Sequence, residues 1–273
     1  MRLAQFIEDD SARVGLVEED RLIPLDFCGD MLDVILRGGV EGLTLCPPRP
    51  LRAATLSAVL SRPSKIIAIG LNYRDHIREG KMNIPDFPVI FSKFPSSLAG
   101  HGEKITWRQS VTRQVDFEAE LAVVLGKKVS DLREEDALAA VFGYTCANDV
   151  SARDLQFADG QWVRGKSLDT FCPLGPWIVT PQEIPDPHCL GIKCLVNGET
   201  MQASSTAELI FSVPFLISFL SRHFTLLPGD VILTGTPRGV GAFRNPPRYL
   251  KQGDEIVVEI DQIGRLVNVC AVL

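Results

Sequence analysis

Two glutamates lie two residues apart in an otherwise apolar segment, VDFEAELAVV, which runs from Val115 to Val124. The composition predicts a strand, and alternation along a strand places Glu118 and Glu120 on the same face. Two neighbouring carboxylates that are partly desolvated repel each other unless one is protonated or a cation lies between them. The segment therefore predicts either a cation site or, if this face is exposed, a solvated pair of charges.

A third carboxylate, Asp149, lies in the segment YTCANDVS, which predicts a strand that ends in polar residues. If Asp149 turns inward, it adds an oxygen ligand to those of Glu118 and Glu120. Hard oxygen ligands that leave room for water favour Mg²⁺, or Mn²⁺ in its place, over zinc. The alternative for Asp149 alone is an N-cap of the element that follows.

A histidine and a glutamate lie three residues apart in LNYRDHIREG, a segment with helical spacing that ends in a glycine. His76 and Glu79 are then neighbours on one helical face. A carboxylate beside a histidine orients the ring, which prepares it for work as a general base. The alternative is an ordinary surface pair of side chains.

Five further polar side chains are candidates for contact with a small ligand. Lys166, in VRGKSLDTF, and Lys93, in FSKFPSS, would each either hold a substrate carboxylate or remain a solvated turn lysine. Thr236, in LTGTP, would either bind a ligand or shape a tight turn. Arg153 and Gln156 follow Asp149 within the segment ANDVSARDLQ.

The predicted elements that must position these residues favour a mixed, sheet-rich fold. Strands outnumber helices and do not alternate with them, which argues against a doubly wound parallel sheet. We expect strands over KIIAIGLNY and VIFSKF, and a closing hairpin over DEIVVEIDQIGRLVNVCAVL. We expect helices over EEDALAAVFGY and over SSTAELIFSVPFLISFLSR, where Ser205 and Glu208 form a capping-box pattern.

The composition excludes several classes of protein. The 273 residues carry a net charge of −6 with both signs scattered, which argues against binding to nucleic acid or to an anionic membrane surface. The most apolar segment, LIFSVPFLISFL, is much shorter than the roughly 20 residues of a membrane span. Seven cysteines without a CxxC motif indicate reduced thiols in an intracellular protein.

A change of character near residue 62 predicts two domains. Residues 1–62 predict a small α+β unit of short strands with one short helix, MLDVILRGG, closed by two glycines. Residues 63–273 contain every candidate site residue, and we expect them to form the catalytic domain.

Seven segments, read together, resemble the fumarylacetoacetate hydrolase family: IGLNYRDHIREG, PVIFSKFPSSL, VDFEAELAVVLGKKV, GYTCANDVSARDLQ, QWVRGKSLDTFCPLGPWIVT, VNGE and PGDVILTGTPRGVG. The resemblance covers residues 65–273, and the preceding part is similar to the small N-terminal portion of many members. It implies a mixed β-roll catalytic domain with few helices, a small N-terminal α+β domain, and a homodimer.

The resemblance also implies a role for each candidate in catalysis and metal binding. Glu118, Glu120 and Asp149 would bind Mg²⁺, with Mn²⁺ or Ca²⁺ as substitutes. His76 and Glu79 match the family's catalytic dyad, in a segment that orders over bound ligand. No equivalent of a fourth, upstream carboxylate is evident, so water or substrate would complete the coordination.

The substrate contacts follow from the same resemblance. Lys166 matches a catalytic lysine that faces the substrate, Gln156 matches a residue that positions water or ligand, and Thr236 matches a carboxylate contact. Arg153 and Lys93 are further candidates for substrate binding.

These roles imply a Mg²⁺-dependent enzyme that acts on small 2-oxo acids through a metal-bound enolate, with C–C hydrolysis of acylpyruvate- or fumarylacetoacetate-type substrates as the family default. The segments FCPLGPWIVT, DPH, GVGAFRNPP and LKQGDEI are similar to the domain-containing protein 2 branch, which makes oxaloacetate keto–enol tautomerisation, or decarboxylation, the alternative. A non-catalytic ligand-binding member is a further alternative, against which the complete set of candidate residues argues. We expect a cytoplasmic location, or a mitochondrial one if a transit peptide is missing from this chain.

Overall fold

A computed structural model describes all 273 residues of the chain. The α-helices are short: α1 (Met31–Leu36), α2 (Arg74–Gly80), α3 (Arg153–Ala158), α4 (Val163–Lys166) and α5 (Val213–His223). The 3₁₀ helices span Leu51–Ala53, Pro95–Ser97, Glu134–Ala140, Thr206–Glu208 and Gly241–Phe243. No helix combines the length and the apolar character that crossing a bilayer requires.

Most of the ordered backbone lies in strands. They are β1 (Arg2–Glu8), β2 (Ser11–Glu18), β3 (Arg21–Pro24), β4 (Arg49–Pro50), β5 (Thr55–Leu56), β6 (Ile66–Gly70), β7 (Val89–Lys93), β8 (Leu98–Ala99), β9 (Lys104–Trp107), β10 (Val115–Asp116), β11 (Ala119–Leu125), β12 (Val141–Asn148), β13 (Ser151–Ala152), β14 (Cys172–Val179), β15 (Gly191–Val196), β16 (Glu199–Ser205), β17 (Val231–Leu233), β18 (Glu255–Ile260) and β19 (Gly264–Val272).

These strands form one large sheet and two smaller ones. The 12-stranded sheet has the order β4-β3-β2-β1-β14-β12-β11-β17-β6-β7, with β5 paired to β1 and β8 paired to β14. A five-stranded sheet has the order β16-β15-β18-β19-β9, and β10 pairs with β13. The large sheet is mixed, because β17 runs parallel to β6 whereas β11 and β12 are antiparallel. The predicted mixed, sheet-dominated fold with few helices is confirmed.

The largest hydrophobic core lies between the centre of the large sheet, the five-stranded sheet and α5, and contains 40 buried residues. Strand β11 crosses this region, and all seven of its residues are buried. A strand that is covered on both faces reads as a continuous apolar run, as LAVVL does. A second core of 19 residues lies on the other side and includes α1.

The N-terminal strands extend the large sheet. Strand β1 pairs with β14 through Arg2 and Val179, and β2, β3 and β4 follow outward. Helix α1 begins after Asp30, which forms a capping box with Asp33. The domain boundary at residue 62 stays a prediction.

The helix predicted over EEDALAAVFGY is wrong in its second half. A 3₁₀ helix ends at Ala140, and Val141 begins β12, which pairs with β11 along its length. Aromatic and β-branched residues pack well on a pleated surface, so the pairing with β11 outweighs helix propensity here.

The predicted capping box at Ser205 and Glu208 does not start the long helix. Ser205 caps only the 3₁₀ turn that follows it. Helix α5 begins eight residues later at Val213, where the Ser212 hydroxyl accepts from the Phe215 N–H at 3.2 Å. Pro214 explains the shift, since proline has no N–H to donate and is tolerated only in the first turn of a helix.

A buried aspartate, Asp230, joins the start of β17 to the segment before β6. Its carboxylate accepts from the Ser64 hydroxyl at 2.5 Å, from the Lys65 N–H at 3.0 Å and from the Leu227 N–H at 2.7 Å. It also pairs with the Lys65 ammonium at 2.8 Å. Asp230 is fully buried, so its carboxylate depends on these donors in place of water.

The substitution Asp230→Ala should lower the free energy of unfolding by about 3 kcal/mol, because it removes a buried carboxylate that accepts two backbone N–H groups and one hydroxyl and pairs with an ammonium. Asp261→Ala is the matched control, since Asp261 is exposed and accepts the Gly191 N–H at 2.9 Å; its cost should stay below about 1 kcal/mol. Urea unfolding followed by circular dichroism measures both. Equal costs for the two variants would contradict the role given to Asp230.

Candidate active site

The register between β11 and β12 brings the three candidate carboxylates together. Ala119 pairs with Asn148 in this antiparallel pair, so the residues just beyond the start of β11 and the end of β12 are neighbours. The Asp149 N–H donates to the Glu118 carbonyl at 2.9 Å. Carboxylate oxygens of Glu118, Glu120 and Asp149 lie within 4.8 Å of one another, and all three residues are buried. The glutamates therefore do not form an exposed strand face, and Asp149 does not cap α3, whose N-cap is Ala152.

Two of the three carboxylates have cationic partners. The Lys166 ammonium donates to Glu118 Oε2 and to Asp149 Oδ2, both at 2.7 Å. Lys93 Nζ pairs with Asp149 Oδ1 at 2.5 Å, and Arg153 Nη2 pairs with Glu118 Oε1 at 2.7 Å. Glu120 has no ion pair; its Oε2 accepts the Gly235 N–H at 2.7 Å.

The protonation of the two glutamates differs for this reason. Burial opposes the charge on Glu118, but the positive charges of Lys166 and Arg153 prevail and lower its pKa to about 2. For Glu120, burial and the negative charges of Asp149 and Glu118 act in the same direction and raise its pKa well above the usual value. The pKa of Lys166 is raised because Asp149 and Glu118 outweigh its desolvation.

The residues present fit a divalent cation. Asp116 is fully buried, and its Oδ2 forms an ion pair with Arg153 Nε at 2.8 Å. Four buried carboxylates therefore face three buried cations, and Glu120 is the carboxylate without a cationic partner. An all-oxygen donor set is the type that Mg²⁺, Mn²⁺ and Ca²⁺ prefer. The groups that could hold the ion are the carboxylates of Glu118, Glu120 and Asp149.

A cavity of about 130 Å³ opens beside these carboxylates. Its polar lining consists of His76, Glu118, Glu120, Arg153, Gln156, Lys166 and Thr236. Its remaining wall is largely apolar and includes Phe91, Phe157, Trp162 and Phe243. Since a water molecule occupies roughly 30 Å³ in the liquid, the cavity suits a small organic acid rather than an extended ligand.

The predicted dyad faces this cavity from α2. His76 is buried, so it is not an ordinary surface residue, and its ring stacks on Phe243 with centroids 5.3 Å apart. His76 Nδ1 lies 3.6 Å from Glu79 Oε2 and has no hydrogen-bond partner within the protein. Both Glu79 oxygens accept the Gly239 N–H at 3.0 Å. Burial opposes the charge on Glu79, but the His76 ring and the Gly239 N–H together lower its pKa.

Buried polar contacts hold α2 in place. Asn72, fully buried just before the helix, donates to the carbonyls of Phe211 and Thr234 and accepts from the Phe211 N–H. Asp75 accepts from the Ser204 hydroxyl at 2.6 Å. These contacts fix the start of the helix, and hence the position of His76, relative to the sheets.

Three of the four predicted substrate contacts lie in different environments, and the fourth, Arg153, pairs with Asp116 and Glu118. Gln156 Oε1 accepts from Arg153 at 2.9 Å, which leaves its amide N–H groups without a protein partner at the cavity. The Thr236 hydroxyl donates to the Ala119 carbonyl at 3.0 Å, so its only proton is already engaged. Lys93 lies behind Asp149, bonds to the Lys166 carbonyl as well, and does not line the cavity.

Three residues near the site escaped the sequence analysis. Gln202 is buried, accepts the Ala119 N–H at 2.9 Å and donates to the Thr236 hydroxyl at 2.9 Å. Phe243 stacks on His76. No local sequence pattern predicts the contacts of Gln202 or of Phe243. Asp116 had one, since it precedes Glu118 by the same two-residue spacing that separates the glutamates.

Comparison with known proteins gives a consistent answer. Residues 65–271 match the family described as fumarylacetoacetate (FAA) hydrolase C-terminal. The protein named oxaloacetate tautomerase fahd2, mitochondrial, from Xenopus laevis is 50% identical over 286 residues, which cover 98% of this chain and 89% of that protein.

Solved structures agree over the whole chain. The fumarylacetoacetate hydrolase of Exiguobacterium antarcticum is 39% identical, with a TM-score of 0.89 and full coverage of both chains. The maleylpyruvate hydrolase of Sphingobium sp. SYK-6, solved with manganese(II) and pyruvate, is 32% identical, with a TM-score of 0.81 over 100% of this chain and 99% of that one. The protein is an enzyme, and it belongs to the fumarylacetoacetate hydrolase family, in the domain-containing protein 2 branch.

Proposed function

We propose that the protein is a Mg²⁺-dependent oxaloacetate keto–enol tautomerase. The observation that carries the proposal is the buried acidic cluster, whose uncompensated Glu120 faces a small cavity that His76 also lines. C–C hydrolysis was the first expectation. It takes second place because the Xenopus laevis relative, at 50% identity, is named a tautomerase, whereas the two hydrolases compared are 39% and 32% identical.

The metal site in this proposal consists of Glu118, Glu120 and Asp149. A bound divalent cation would supply the positive charge that stabilises a negative oxygen on a 2-oxo acid when C3 loses a proton. Lys166 and Arg153 hold Glu118 ionised, so that its carboxylate is available as a ligand. Mg²⁺ is the proposed ion, with Mn²⁺ or Ca²⁺ as substitutes.

The proton transfer in this proposal belongs to His76. Its ring would take the proton from C3 and return a proton to the C2 oxygen, which interconverts keto and enol forms without breaking a carbon–carbon bond. Glu79 would orient the ring. Gln156 would donate its free amide N–H groups to a substrate oxygen, and Lys166 would attract the substrate's carboxylate.

The substitution Glu120→Gln should weaken Mn²⁺ binding at least about 100-fold, because changes in residues that merely orient ligands already cost about 10- to 100-fold. Isothermal titration calorimetry on the metal-free protein measures this effect without any substrate. Glu199→Gln is the control, since Glu199 is exposed and pairs with Arg248 at 2.8 Å. Binding to Glu120→Gln within about threefold of the wild type would remove the proposed site.

The wild-type protein with Mg²⁺ should accelerate the loss of the ultraviolet absorbance of enol-oxaloacetate above the buffer rate without forming pyruvate. A coupled lactate dehydrogenase assay measures pyruvate in the same samples, and chelation by EDTA should abolish the acceleration until Mg²⁺ is restored. Pyruvate from oxaloacetate would instead identify a decarboxylase. Pyruvate from acetylpyruvate, with no effect on the enol, would identify a hydrolase.

The substitution His76→Gln tests in the same assay whether His76 transfers the proton. His76→Gln should lower kcat by about 10²- to 10⁴-fold, which is the usual contribution of a general acid–base, while Mn²⁺ affinity stays unchanged. His223→Gln is the control, because His223 is exposed on α5 and does not line the cavity.

Two further parts of the proposal concern the assembly and the location of the enzyme. A homodimer is proposed from the family resemblance. A cytoplasmic location is proposed from the reduced cysteines, with a mitochondrial one as the alternative because the name of the Xenopus laevis relative includes that compartment.

A further inference from the structure

A buried carboxylate outside the cavity connects the two halves of the site. Asp116 is fully buried and does not line the cavity. Its Oδ1 accepts the N–H groups of Phe117 at 2.8 Å and Gly241 at 2.7 Å. Its Oδ2 accepts the Ala242 N–H at 2.9 Å and Arg153 Nε at 2.8 Å. All four acceptor positions of the carboxylate are therefore occupied.

The first connection runs through Arg153 to the acidic cluster. With its Nε held by Asp116, the guanidinium directs Nη2 to Glu118 at 2.7 Å and Nη1 to Gln156 at 2.9 Å. The guanidinium is planar and rigid, so fixing one nitrogen fixes the direction of the other two. Asp116 thereby sets the position from which Arg153 holds a candidate metal ligand and a candidate substrate contact.

The second connection runs through the backbone to His76. Gly241 and Ala242, which donate to Asp116, immediately precede Phe243, whose ring stacks on His76 with an interplanar angle of 17°. The approach at Gly241 is so close that a Cβ there would collide with the Arg248 carbonyl and lie 2.6 Å from Asp116 Oδ1. The segment 239–243 is thus held by Asp116 at one end and by Glu79, through the Gly239 N–H, at the other.

We propose that Asp116 is a positioning residue that couples the acidic cluster to His76: through Arg153 it fixes Glu118 and Gln156, and through Gly241 and Ala242 it holds Phe243 against the His76 ring. The proposal rests on the proposed function in assigning proton transfer to His76. All the contacts of Asp116 are with protein groups. Its effect on the position of the His76 ring and on metal binding is therefore independent of the substrate's identity.

The test is Asp116→Asn, which keeps the size of the side chain but replaces one acceptor oxygen by an NH₂ donor. This donor meets the N–H groups of Arg153 and Ala242 or, in the other amide orientation, those of Phe117 and Gly241. We expect Mn²⁺ affinity and kcat each to fall about 10- to 100-fold, as for other residues that orient ligands. The His76 ring should also move. With histidine ¹³C-labelled at Cε1 alone, the chain gives four ring resonances, and the His76→Gln spectrum assigns one of them. This resonance should move downfield as the shielding by Phe243 is lost.

The control for a merely structural effect is Asp230→Asn. Asp230 is also a fully buried aspartate that accepts backbone N–H groups and pairs with a cation, but its partners Ser64, Lys65 and Leu227 do not line the cavity, whereas Arg153 does. This variant should lose stability while Mn²⁺ affinity and the His76 resonance stay at wild-type values. If Asp116→Asn behaves like Asp230→Asn, the proposal is wrong.

A second variant keeps the proposal testable if Asp116→Asn does not fold. Phe243→Leu leaves every bond of Asp116 in place and removes only the ring stack, so it should shift the His76 resonance and lower kcat while Mn²⁺ affinity is unchanged. An unshifted His76 resonance in Phe243→Leu would overturn the connection to His76. Because ring position and Mn²⁺ affinity are measured without oxaloacetate, failure of the tautomerase assay leaves these results interpretable.

Discussion

Carboxylate oxygens of Glu118, Glu120 and Asp149 lie within 4.8 Å of one another in the protein interior, where charge is poorly screened. Lys166, Lys93 and Arg153 offset the repulsion for two of these residues and leave Glu120 without a cation. A carboxylate in that position must hold a proton or share a cation. The other residues of the site, which are the candidate ligands, proton carrier and substrate contacts, surround this carboxylate.

The fold supplies the rigidity that such a cluster requires. Strand β11 lies between β12 and β17 in the interior of the large sheet. Its first residues therefore have little freedom to move away from the end of β12, where Asp149 follows. The turn after β17 completes the arrangement, because the Gly235 N–H donates to Glu120 and the Thr236 hydroxyl donates to the Ala119 carbonyl. Positive φ at Gly235 and at Gly239 allows this turn to approach both the glutamate and α2. The short helices serve mainly to present side chains to the cavity.

The features that could be predicted from the sequence are those determined by local rules. The two-residue spacing of the glutamates, the polar end of the strand before Asp149 and the three-residue spacing of His76 and Glu79 all bring side chains to one face. The mixed, strand-dominated fold also follows from the order of the elements. Two predicted helix boundaries were wrong. Val141 begins a strand because it pairs with β11, and α5 starts late because Pro214 is tolerated only in the first turn of a helix. The contact of Lys93 with Asp149, 56 residues away, has no local pattern, and the role of Lys93 in substrate binding stays a prediction.

The proposed role of the acidic cluster is that Glu118, Glu120 and Asp149 bind one divalent cation. Anomalous diffraction from crystals grown with Mn²⁺ is the decisive experiment, because it locates the ion without any assay of activity. We predict a single strong peak within about 2.5 Å of oxygens from Glu118, Glu120 and Asp149. The absence of a peak there at saturating Mn²⁺, with Lys166 still bonded to Glu118 and Asp149 and Glu120 still alone, would contradict the account.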